Sequence, residues 1–99
     1  MSSDLGEKVK AIRKVEQLSQ VQFCEATGIS ISTVKKYETG LLEPGGGTLM
    51  KITKHPQFKK YTMWLMTGDV APEIGQISPD LSPDGPESTS ANQKDQKVG

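Results

Sequence analysis

Ser32 and Lys36 stand four residues apart, so on a helix they share one face and project together. Their chemistry is recognition. A lysine ammonium donates hydrogen bonds, and a serine hydroxyl both donates and accepts them. Ile31, Thr33 and Lys35 add an apolar side chain, a second hydroxyl and a second cation to the same short stretch. Small polar and basic side chains projecting from one short helix are the kind of set a DNA-reading helix presents.

Little else in the chain could carry chemistry. His55 and Cys24 are the only residues of their types and lie far apart in sequence. Cys24 falls on the packed side of a helix, where a small core residue outweighs a nucleophile. His55, directly before Pro56, reads as a helix boundary. No zinc-type cluster is present, and the glycines at 45–47 lack the lysine spacing of a phosphate-binding P-loop. The expectation is a protein that is not an enzyme and uses no cofactor or metal.

The elements that must position Ser32 and Lys36 are legible around them. Ser19 sits where a helix N-cap oxygen is wanted, and Gln22 three residues later completes a capping box. Phe23, Ala26 and Thr27 then give this helix a packing face, with Cys24 beside it. Gly28 can take the left-handed conformation that ends a helix and redirects the chain. Ile29 can fill the corner, and Ser30 restarts the helix as a second N-cap. Val34 and Tyr37 form the inward edge of the second helix, and Gly40 stops it. Two short helices joined at a glycine occur in any small bundle, but the whole of 19–40 has the layout of a helix-turn-helix.

Upstream, Asp4 and Glu7 offer a capping pair for a first helix running to about Glu16, with Leu5, Val9 and Ile12 as its core stripe. Downstream, Pro44 and three glycines make a loop whose backbone N–H groups, Gly46 among them, could bind phosphate; a flexible linker is the equal alternative. Thr48 is placed to cap a fourth helix holding Leu49, Met50 and Ile52, and Pro56 to start a fifth. Phe58, Tyr61, Trp64, Leu65 and Met66 give that last helix a broad apolar surface.

Composition divides the chain of 99 residues near residue 68. Its net charge is zero, yet residues 1–68 hold ten Lys or Arg against six Asp or Glu, and residues 69–99 hold two against six. The basic excess of the first part suits phosphate contact. All five aromatic residues precede residue 69, whereas four of the six prolines follow it. Residues 69–99 therefore read as a disordered acidic tail rich in Pro and Ser, unable to offset backbone ordering of about 1–2 kcal/mol per residue. The repeat SPDLSPDG at 78–85 reads as solvated linker. One cysteine permits no internal disulfide, and neither a signal peptide nor a long apolar run is evident, so the expectation is a cytoplasmic protein with no membrane contact.

Residues 19–40 resemble the helix-turn-helix of the Cro and phage-repressor family of bacterial regulators. Gln20 falls on the glutamine that begins the first motif helix, Cys24 on the small position of the helix crossing, and Gly28 on the turn glycine. Val34 matches the buried branched residue, and Glu38 with Gly40 match the acid and glycine that close the second helix. Leu5, Val9, Ile12 and Arg13 match the first helix; Pro44, Leu49, Ile52 and the ending Trp64-Leu65-Met66-Thr67-Gly68 match the rest. The resemblance covers about residues 4–68.

It implies an all-α fold, a compact bundle of about five short helices over 1–68, with the tail outside it. It also implies sequence-specific regulation of transcription by a small Cro-like repressor of phage or prophage type. A homodimer would hold a palindromic double-stranded operator, with the third helix in the major groove. The base-reading positions become Ile31, Ser32 and Lys36, of which Lys36 can donate to guanine O6 or N7 and Ile31 can touch a thymine methyl. Gln20, Thr33, Lys35 and Gly46 become backbone-contacting or supporting residues, and Arg13 with Glu38 an ion pair. Isoleucine at 31, where a glutamine is common in the family, cannot bond Gln20, so the operator sequence cannot be borrowed from a relative. Longer phage repressors carry a self-cleaving C-terminal domain, which this tail does not resemble. The alternative is an antitoxin or adaptor of the same fold, with the tail holding a protein partner.

Overall fold

The computed structural model describes residues 4–82. Five helices follow one another: α1 (Asp4–Val15), α2 (Gln20–Thr27), α3 (Ile31–Glu38), α4 (Gly46–Thr53) and α5 (Thr62–Thr67). A 3-10 turn, Lys59–Tyr61, leads into α5, and two more, Pro72–Ile74 and Pro79–Leu81, follow it. No helix among the described residues is long and apolar enough to cross a membrane.

Each helix is short, so its stability depends on the apolar side chains it shares with the others. Val9, Ile12 and Val15 of α1, Phe23 of α2, Val34 and Tyr37 of α3, and Leu49 and Ile52 of α4 meet Phe58, Tyr61 and Leu65 in one core. Phe23 and Phe58 pack with ring centroids 5.2 Å apart, tying the two halves of the chain together. Gly6 is what lets α1 approach α3. A Cβ at this position would overlap the carbonyl oxygen of Tyr37, a backbone atom that cannot swing aside. Lys8 joins α1 to α5, its Nζ donating to the Trp64 carbonyl at 3.2 Å and lying 5.4 Å from the centre of the indole ring.

Two helix starts differ from the sequence reading. The N-cap of α4 is Gly45, not Thr48; extended backbone at Gly45 follows the buried Pro44, and the Leu49 amide already bonds the Gly45 carbonyl at 2.9 Å. Thr48 is thus inside the helix, and its hydroxyl meets the Tyr37 hydroxyl at 2.8 Å, linking α4 to α3. Pro56 opens a turn rather than a helix. The His55 carbonyl accepts from both Phe58 and Lys59, each at 2.9 Å, and regular α-helix begins only at Thr62.

The chain does not leave the bundle at residue 68. Ala71 and Gln76 exchange backbone bonds of 2.8 and 3.1 Å in an antiparallel bridge, and the Ile77 amide donates to the Lys60 carbonyl at 2.9 Å. Gln76 Oε1 accepts from the Met63 amide at 2.9 Å, satisfying a donor in the first turn of α5 that lacks an intrahelical partner. Ile77 packs against the core and Ser82 is buried. Proline and charge content alone made residues 69–82 look like tail, but a few well-placed groups hold them down. Residues 83–99, the remainder of the expected disordered tail, lie outside the described residues.

Candidate nucleic-acid interface

The two helices of the motif are set by caps at the stated residues. Ser19 Oγ accepts from the Gln22 amide at 3.0 Å, and Gln22 Oε1 accepts from the Ser19 amide at 2.8 Å, closing the capping box. Gly28 ends α2 at φ 80°, left-handed backbone that glycine adopts without a Cβ clash. Ser30 Oγ then accepts from the Thr33 amide at 3.3 Å and starts α3. Buried Ile29 fills the corner between them.

With Val34 and Tyr37 buried, the opposite face of α3 is left to solvent. Ile31, Ser32, Lys35 and Lys36 are all exposed there, and none of the four belongs to the core. Thr33 is half-buried, its hydroxyl accepting from Ser30 Oγ at 2.8 Å, so it is partly committed to the cap. Lys35 and Lys36 lie in the last turn, where positive charge offsets the negative end of the helix dipole. Gly46 is exposed in the first turn of α4, away from α3 in sequence. Helix starts leave N–H groups without intrahelical partners, and no side chain caps this one.

The orientation of α3 is fixed by one buried carboxylate. Arg13 Nε and Nη2 donate to the two oxygens of Glu38 at 2.7 and 2.9 Å, a bidentate pair with side chains only 11% and 4% exposed. Gln20 Nε2 adds a third bond to Glu38 at 3.0 Å, and Arg13 Nη1 donates to the Leu18 carbonyl at 2.8 Å. Burial opposes the charge of Glu38. Hydrogen bonds from Arg13 and Gln20 and the positive charges of Arg13 and Lys10 outweigh it, holding the carboxyl below its ordinary value of 4.5. In this arrangement Gln20 supports the end of α3 rather than standing free. Cys24 packs beside the core with its thiol pushed up by burial and then by Glu38 and Glu25, the setting of an inert packing residue.

Sequence reasoning overlooked three contributors. Gly6, the Leu18 carbonyl and the Tyr37–Thr48 hydroxyl pair all help to set α3, yet each acts through a contact distant in sequence or through backbone. Only Gly6 left a visible signal, a glycine inside an otherwise regular helix.

The helix-turn-helix family model matches residues 9–59, which include the clamp, the motif and α4. The chain belongs to the helix-turn-helix family. It is 41% identical over 99 residues, the whole of both chains, to the protein of Escherichia phage P2 named Repressor protein C. Over 54 residues it is 32% identical to an uncharacterized HTH-type transcriptional regulator, y4wC, of Sinorhizobium fredii, spanning 54% of this chain and 38% of that one. This helix-turn-helix protein is accordingly a repressor-like, DNA-binding transcriptional regulator and not an enzyme.

Proposed function

We propose that the protein represses transcription by holding a specific double-stranded operator, with α3 in the major groove. The observation that carries this reading is the exposed face of Ile31, Ser32, Lys35 and Lys36, set on a helix that Val34, Tyr37 and the Arg13–Glu38 clamp hold in one orientation. The full-length similarity to a phage protein named as a repressor supports the regulatory direction.

Lys36 and Ser32 read base edges in this proposal, and Ile31 meets a thymine methyl. Lys35, Thr33 and the Gly46 amide face phosphates, and Gln20 braces Glu38 from beside the backbone. Lys36→Ala is expected to weaken the selected site by about 1–3 kcal/mol and relax preference at one base pair; Lys35→Ala should weaken all sequences alike and lower the salt slope by about one. Titrating both variants against a site panel at two salt concentrations separates them. Unchanged affinity and preference for Lys36→Ala would remove it from the reading face.

One such module makes few contacts, so the proposal includes a homodimer on a pseudo-palindrome with half-sites about 34–36 Å apart. An open apolar groove of about 450 Å³, lined by Lys59, Thr62, Met63, Met66, Thr67 and Gln76, supports a surface for pairing. Selection of bound sites from random DNA, with sedimentation of the complex, tests both parts. Enriched direct repeats would overturn the palindrome, and a monomer on DNA would overturn the dimer. The alternative places competition with DNA, or a protein partner, on the acidic residues 69–99; three of their six carboxylates, Asp69, Glu73 and Asp80, lie in the packed arm and three, Asp84, Glu87 and Asp95, follow Ser82. Truncation there, rather than at residue 68, leaves the packed arm intact.

A further inference from the structure

The end of α3 carries two exposed leucines in a built setting. Gly40, at φ 82°, donates to the Tyr37 carbonyl at 3.2 Å, and Leu41 donates to the Lys36 carbonyl at 2.9 Å. These two bonds are the Schellman ending, in which the residue after the left-handed one commonly packs on an apolar residue of the last helical turn. Here the positions it would meet are Lys36 and Lys35. The Leu42 amide bonds the same Lys36 carbonyl at 3.2 Å, and Thr39 Oγ1 bonds the carbonyls of Lys35 and Lys36 at 3.0 and 3.3 Å. The segment is pinned, yet Leu41 is 78% exposed and Leu42 46% exposed.

The end of α1 repeats this geometry and shows what is missing. Leu18 donates to the Arg13 carbonyl at 3.1 Å and Gln17, at φ 62°, donates to the Lys14 carbonyl at 2.9 Å, so Leu18 holds the place that Leu41 holds in α3. Leu18 is packed against the core. Leu41 has solvent.

We propose that Leu41 and Leu42 are DNA-positioning residues that pack on deoxyribose of the operator backbone at the edge of the groove α3 enters. An occupant of this site is apolar at the leucines and anionic beside them, where Lys35, the lysine assigned to phosphate, is exposed on the adjoining turn. A deoxyribose between two phosphates has that alternation. Both leucine amides bond the carbonyl of Lys36, a residue of the proposed base-reading face, and this inference rests on that face being the DNA interface.

Such a contact has a signature that distinguishes it from the lysines. Burying leucine against sugar displaces no counterion, so affinity changes without a change in salt slope, and it changes equally for every sequence. The full-length Leu41→Ala/Leu42→Ala variant should bind both a selected site and a mixed-sequence duplex about five- to tenfold more weakly, with the wild-type slope. Leu41→Met/Leu42→Met should retain wild-type affinity, and thermal melting should show that both variants fold. Wild-type affinity for the alanine variant overturns the inference. So does weaker binding with an altered slope, or loss of self-association or of an acidic peptide partner with DNA binding intact. Lys35→Ala and Lys36→Ala run in parallel separate the two claims: if they too leave binding unchanged, the DNA-facing assignment of α3 has failed, not the leucine contact alone.

Discussion

Glu38 and Glu16 are two buried carboxylates in one small bundle, with side chains only 4% and 5% exposed, and each is held by three side-chain donors. Glu38 joins α1, α2 and α3 through Arg13 and Gln20. Glu16 joins the end of α1 to the segment before α5, accepting from Tyr61 Oη at 2.6 Å, Gln57 Nε2 at 2.9 Å and Lys60 Nζ at 3.1 Å. The counter-ions differ. Arg13 is a nearly buried guanidinium engaged through three nitrogens, whereas Lys60 is 30% exposed on a flexible stem and can return its charge to water. The lesson is that equal burial of two acids does not give equal dependence on their partners.

Acid should undo both clusters together and produce the largest effect. Burial raises the carboxyl of Glu16, but hydrogen bonds from Tyr61, Gln57 and Lys60 and the charge of Lys60 bring it below its ordinary value of 4.5, as the corresponding groups do for Glu38. A group whose folded value is depressed stabilises the fold fully above its unfolded value and loses that contribution as pH falls through the folded value. Stability measured by urea unfolding should therefore be level above the ordinary carboxylate range and decline below 4.5. A Glu16→Gln/Glu38→Gln variant should be less stable at neutral pH and decline less steeply in acid. An equally steep decline would assign the acid sensitivity to other groups.

Taken singly, the Glu38 cluster should be the costlier to break. Glu38→Ala leaves the Arg13 guanidinium almost buried with its partner gone, a loss of about 3–5 kcal/mol by the usual cost of an uncompensated buried charge. The urea midpoint should fall with little change in slope, and DNA affinity should fall with it because α3 loses its brace. A variant of normal stability would show that Arg13 finds another partner.

The sequence showed these two clusters unequally. Arg13 and Glu38 emerged together only because the pattern around them resembled a known family; no local periodicity links residues 25 positions apart. Glu16 had no such guide, and Tyr61 read simply as an apolar core residue although its hydroxyl faces Glu16 at 2.6 Å. Ser19, Gly28 and Ser30 were legible because caps and turns are decided within three or four residues. Gly45 displaced Thr48 as the start of α4 for the opposite reason, since the Thr48 hydroxyl is drawn to Tyr37, a contact sequence spacing does not encode. The arm at 69–82 was hidden by composition: Gln76 and Ile77 are ordinary residues until they meet the first turns leading into α5. On α3 the sequence separated the inward Val34 and Tyr37 from the outward Ser32 and Lys36, but not the exposed leucines at its end.

The smallest effect should come from the cation of the second cluster. Lys60→Met removes the charge facing Glu16 but leaves the hydrogen bonds from Tyr61 and Gln57, and it leaves the unpaired carboxylate rather than an unpaired guanidinium. Lys60 also lies 5.4 Å from the centre of the Tyr61 ring, where methionine can keep some of the packing. A partly exposed lysine pair contributes about 0–1 kcal/mol, so the loss should stay within that range and DNA affinity should change little. The same substitution at Arg13 should cost several times more, because Glu38 would keep only Gln20 as a side-chain donor among the contacts described. Equal losses at Lys60 and Arg13 would break the comparison: the number of remaining hydrogen bonds and the exposure of the cation would then not govern how strongly a buried acid depends on its partner.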